Sequence, residues 1–155
     1  GALKVMVNHQ VASADAYLAD FYERFNSNDL VIDLWFSVQA SADTVTADTI
    51  ESLIDHTDFD WNTPNRVRSV ISAFTSQPTA LWTAEGLSLY TGVIKKLDDA
   101  NPVLASRLLQ VLARWNTLAE SHRQMAHDQL LELQQQVSSK HVLESLNSVL
   151  GAASE

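Results

Sequence analysis

The sequence predicts an all-α fold of about eight helices in stacked antiparallel pairs. Three observations carry this. Apolar residues recur at helical spacing along nearly the whole length. No stretch of useful length alternates with a period of two, so no sheet is expected. Gly (4) and Pro (3) are too few among 155 residues for a linker-rich chain. No strict repeat is visible, so the expected array is irregular, closest to an armadillo-like αα superhelix.

The first helix, about 14–26, carries Tyr17, Leu18, Phe21 and Phe25 behind a Ser13 cap. The second, 29–40, carries Leu30, Val31, Leu34, Trp35 and Val38. The third, 46–56, presents Ile50, Leu53 and Ile54 behind a Thr46 cap. The fourth, 64–76, has Thr63 as cap and Pro64 at its first position, with Val67, Val70, Ile71 and Phe74 at i, i+3, i+4 and i+7. The fifth, 85–98, carries Tyr90, Val93, Ile94 and Leu97. The sixth, 101–115, repeats the proline device with Asn101-Pro102 and turns Leu104, Leu108, Val111, Leu112 and Trp115 inward. The seventh, 118–136, is polar apart from Leu118, Met125, Leu130 and Leu133. The eighth, 139–150, carries Val142, Leu146, Val149 and Leu150 and stops before Gly151.

Length 155 suits a single domain over 1–155, and 46% apolar against 19% charged residues leaves material for a core. Residues 1–12 read as the remnant of a preceding helix, and Gly1 as a cleavage scar or a cut edge. Cysteine is absent, which removes disulfides, Cys-ligated metals and thiol nucleophiles, and suits a cytoplasmic protein. Apolar runs such as Val5-Met6-Val7 span three residues, where a membrane helix needs roughly 20. A net charge of −9 argues against nucleic acid and anionic membranes as partners. The charge is uneven: residues 61–123 hold seven basic and four acidic side chains, net +3, and the remainder is net −12. This is either ordinary surface variation or a face that meets carboxylates.

No constellation announces catalysis. The five histidines include no H-E-x-x-H. His122 and His127 lie five apart, about 140° around a helix, and do not share one ion. His56 with Asp55, Asp58 and Asp60 reads as a helix end and solvated loop rather than a metal site. There is no nucleophile elbow, and the isolated Gly86 and Gly92 make no phosphate loop. Trp35 and Trp115 stand at core spacing. The arginines are more informative. Arg66 and Arg68 flank the apolar stripe of the fourth helix, and Arg107, Gln110 and Arg114 share one side of the sixth. Such forks either tie neighbouring helices together or line a polar surface that receives carboxylates.

Three blocks then stand in a telling order. They are Leu30-Val31-Ile32-Asp33-Leu34-Trp35-Phe36, Thr63-Pro64-Asn65-Arg66-Val67-Arg68, and Asn101-Pro102-Val103-Leu104-Ala105-Ser106-Arg107 followed by Arg114-Trp115. Together they resemble the C-terminal domain of the bacterial aminopeptidase N family, over roughly residues 15–150. The resemblance implies an armadillo-like helical domain of a zinc-dependent gluzincin aminopeptidase, with zinc and the catalytic centre in an upstream catalytic domain. It implies no cofactor and no catalytic residue in this stretch. It implies that the domain closes over its own chain's catalytic domain and walls a cavity for peptide substrate. By the same resemblance Arg68 and Arg107 face that cavity, with Asn65 and Arg66 of the same block as further lining candidates. One stretch departs from the family pattern: Leu81-Trp82-Thr83-Ala84-Glu85-Gly86-Leu87-Ser88-Leu89-Tyr90 has Trp82 in place of a histidine and Ser88 in place of a glycine. The alternative reading is a free-standing helical scaffold that binds a protein or peptide.

Overall fold

Helix caps and prolines set most boundaries in the computed structural model, which describes residues 14–151. The proposed Ser13 cap and the helix remnant over 1–12 lie outside the described residues. The chain forms two compact units, one ending at Ala80 and one beginning at Leu81. The sequence reading expects one domain over the same length.

The first unit holds α1 (Ala14–Phe25), α2 (Asp29–Ala40), α3 (Ala47–Ile54) and α4 (Pro64–Phe74). A single-turn α5 (Pro78–Leu81), absent from the sequence reading, spans the junction. The second unit holds α6 (Ala84–Ala100), α7 (Pro102–Leu109), a 3₁₀ segment (Gln110–Thr117), α8 (Glu120–Gln134) and α9 (Lys140–Gly151). Among the described residues there is no strand.

Asn28 caps α2 by accepting from the Leu30 and Val31 amides. Thr46 and Thr49 form a reciprocal capping box on α3, as the Thr46 expectation requires. Asn101 accepts from the Leu104 amide, and Pro102 follows at the first helical position of α7. Thr63 precedes α4 with extended backbone but makes no side-chain cap bond. Its hydroxyl donates instead to the Asp60 carboxylate three residues upstream, at 2.7 Å.

In the first unit α2 packs on α1, α3 and α4. It buries Ile32, Trp35, Phe36 and Val38, whereas Leu30 and Leu34 are exposed, Leu30 at 78%. The sequence reading places both inward, but α2 is apolar nearly all round. Periodicity then cannot choose the buried face; the neighbours do. Tyr17 and Phe25 of α1 are likewise exposed, and Leu18 and Tyr22 carry that helix's contact with the core.

In the second unit α7 packs on α6 and α9, and α8 on α6 and the 3₁₀ segment. The expected single helix over 101–115 stops being α-helical after Leu109. Leu109, Leu112 and Trp115, spaced by three, are 0%, 0% and 3% exposed. A 3₁₀ turn of three residues sets such positions one above another, so the tighter winding buries all three. Trp115 Nε1 then donates to the Val149 carbonyl at 2.9 Å.

Candidate functional site

The candidate residues fall on two elements, the start of α4 in the first unit and α7 in the second.

α4 opens on a braced loop. Asp60 accepts from the Thr63 hydroxyl and from the Asn62 amide at 2.9 Å, and these bonds hold its carboxyl below the ordinary value. The next residues diverge. Arg66 is 7% exposed. Its Nε lies 2.5 Å from Asp33 Oδ1 and its Nη2 3.3 Å from Asp29 Oδ1, both on α2. Its Nη1 donates to the Asp58 carbonyl, and the guanidinium carbon sits 5.6 Å from the centre of the Phe36 ring. The Tyr22 hydroxyl donates to the Asp58 carboxylate, which raises the phenol's pKa. Arg66 therefore joins α4, α2 and the preceding loop. It borders a hollow of about 640 Å³ together with Asn65 and Asp29, Asp33, Asp58 and Asp60, but each of its three guanidinium nitrogens already donates to the protein. The sequence reading groups Arg66 with the lining residues; the structure gives it internal partners instead.

Arg68, about 200° further around the helix, is half-buried. Its Nη1 donates to Asn65 Oδ1 at 3.4 Å, and it forms no ion pair with a described residue. Asn65 is exposed. On α7, Arg107 is exposed, and its side chain has no ion pair or hydrogen bond to a described residue. The expected line of Arg107, Gln110 and Arg114 does not persist. Four residues at about 120° each, rather than about 100°, rotate Arg114 by roughly 80° relative to an α-helix. Gln110 turns to Ser145 Oγ at 2.5 Å.

The stretch Leu81–Tyr90 serves the core. Leu81, Leu87 and Tyr90 are each 1% exposed, and the Tyr90 hydroxyl donates to the Leu108 carbonyl at 2.5 Å. Burial pushes its phenol pKa far up. His56 is also structural: Nδ1 accepts the Asp58 amide at 3.1 Å, among the rings of Tyr22, Trp35 and Phe36. Among the described residues no three His, Cys, Asp or Glu side chains converge to hold a metal ion.

Sequence reasoning missed the partners of Arg66. Asp29 and Asp33, four apart on one side of α2, were the available signal. The geometry leaves Arg68 and Arg107 as guanidinium groups off the packed stripes of their helices, each able to receive a carboxylate or carbonyl.

A family model described as "Domain of unknown function (DUF3458_C) ARM repeats" matches residues 1–151. Aminopeptidase N of Haemophilus influenzae is 32% identical over 135 residues, covering 84% of this chain and 15% of that protein. Aminopeptidase N of Escherichia coli is 35% identical over 117 residues, covering 73% and 13%. A crystal structure of Legionella pneumophila aminopeptidase A in complex with aspartic acid is 27% identical with a TM-score of 0.88, covering 96% of this chain and 18% of that one. The chain thus spans less than a fifth of the length of these relatives. It belongs to this ARM-repeat family, the C-terminal helical domain of bacterial aminopeptidase N.

Proposed function

We propose that this chain is the non-catalytic closing domain of a zinc-dependent aminopeptidase that removes N-terminal residues from peptides in the cytoplasm. The catalytic domain of the same polypeptide supplies zinc and its ligands. This domain supplies an enclosing wall and two cationic contacts for the downstream part of the peptide. One observation carries the reading. Arg68 and Arg107 stand off the packed faces and have no carboxylate partner among the described residues, whereas Arg66, two residues from Arg68, is committed internally. The family and its aminopeptidase relatives support assigning these two arginines to peptide.

Contacts remote from the scissile bond add binding that lowers KM or, when strengthened in the transition state, raises kcat. Enclosure also keeps bulk water and folded proteins away from the reacting centre. A charged hydrogen bond of about 1–3 kcal/mol corresponds to roughly 5–150-fold in kcat/KM. Arg68→Ala and Arg107→Ala, made separately in the full-length enzyme, are expected to lose activity on tri- and tetrapeptides within that range. Unchanged kinetics for both variants would remove the lining role.

A further inference from the structure

We propose that a hollow in the second unit, between the 3₁₀ segment and the first half of α8, is a binding site for a small carboxylate. It measures about 340 Å³ and is lined by Trp115, Asn116, Arg123, Gln124 and His127. That is the lower end of the range for small-molecule sites, with room for a four-carbon acid.

The lining chemistry selects an anion. Arg123 and His127 are four apart on α8 and therefore project from the same side. Neither side chain has an ion pair or hydrogen bond to a described residue. Arg24, Arg66 and Lys140, by contrast, are each paired with a carboxylate. The nearby Asp128 is held by the Gln124 amide at 3.0 Å and does not reach Arg123. The imidazole is fixed as well: it stacks on Trp115 with centroids 5.1 Å apart and planes at 27°. Trp115 is itself anchored through its indole N–H to the Val149 carbonyl. A guanidinium fork beside an oriented imidazole donor, over an apolar floor, matches the two oxygens and short carbon stem of a carboxylic acid. The site gives the cationic bias of residues 61–123 a use that Arg68 and Arg107 do not cover. It also stands or falls independently of the aminopeptidase reading.

The test is an NMR titration of the 155-residue chain with succinate, with succinamide and matched sodium chloride as controls. Saturable shifts of the Trp115 indole N–H and the His127 ring are expected, with Kd on the order of 1 mM. Arg123→Ala should weaken binding at least about tenfold. His127→Phe, which keeps an aromatic ring over Trp115, should weaken it too. No saturation below about 50 mM, equal shifts with succinamide, or full binding by the Arg123→Ala variant would each overturn the assignment.

Discussion

Arg66 and Arg68 lie within one turn of α4, yet burial separates their roles. The Arg66 guanidinium faces Asp33, Asp29, the Asp58 carbonyl and the Phe36 ring from a site where its side chain is 8% exposed. Removing it strands the Asp33 carboxylate, whose side chain is only 20% exposed, and frees the loop before α4. Arg66→Ala is therefore expected to cost about 3 kcal/mol in a urea unfolding experiment. Arg66→Lys should recover less than half of that, because an ammonium cannot span Asp33 and the Asp58 carbonyl as a planar fork does. Arg68→Ala, which breaks only a 3.4 Å contact with exposed Asn65, should change stability by less than about 0.5 kcal/mol. The contrast makes the kinetics of the Arg68 variant readable, since its loss of activity is not a loss of fold. A result in which both variants unfold equally easily would contradict the division of labour.

Between elements, the corresponding device is Asp98 near the end of α6. It is 6% exposed and accepts the Ser138 amide at 2.9 Å and the Ser139 amide at 3.0 Å, just before α9. Burial alone would raise its pKa; the bonds from the Ser138 and Ser139 amides and hydroxyls outweigh that and leave it below the ordinary 3.8. A carboxyl with a lowered folded-state pKa stabilises fully above its unfolded value, and that contribution is lost as pH falls through the folded one. Asp98→Ala should cost about 1–3 kcal/mol at pH 7. The gap between wild type and variant should close as the pH is taken below about 3.8. A gap independent of pH would show that packing, not the charge, holds the turn. How legible such devices are in a sequence depends on their reach. Thr46 and Asn101 accept from amides within a turn, and Pro64 and Pro102 fix the backbone at the first helical position, so these helix starts can be read directly. The Asp98 clamp reaches 40 residues and the Arg66–Asp33 pair 33, and no local pattern announces either. The 3₁₀ segment had a local signal in the triplet spacing of Leu109, Leu112 and Trp115, masked because Leu104, Leu108 and Val111 fit an α-helix equally well. Arg68 and Arg107 were legible as arginines off an apolar stripe, while Arg66 looked the same until its partners on α2 were in view.

On the scale of the whole molecule, a chain of net −9 carries few cations, and where they remain unpaired bears on what it meets. If Arg68 and Arg107 contact the downstream part of a peptide in the full-length enzyme, their value depends on whether the substrate has such a part. An aminoacyl-arylamide presents the N-terminal residue and the scissile bond but no downstream backbone or C-terminal carboxylate. A tetrapeptide presents all of them. Binding energy from remote groups is lost when the groups are missing, whether from the substrate or from the enzyme. The Arg68→Ala/Arg107→Ala double variant is therefore expected to lose at least roughly 25-fold in kcat/KM on a tetrapeptide, because two charged contacts of about 1–3 kcal/mol each are removed. On the arylamide the loss should stay within about twofold, because no contact is removed there. Raising sodium chloride towards 1 M, where the screening length falls to about 3 Å, should narrow the wild-type preference for the tetrapeptide. It should leave the double variant's smaller preference almost unchanged. Equal losses on both substrates would mean that the arginines act on the catalytic centre itself or on the fold. A preference insensitive to salt in the wild type would mean that the downstream contact is not ionic.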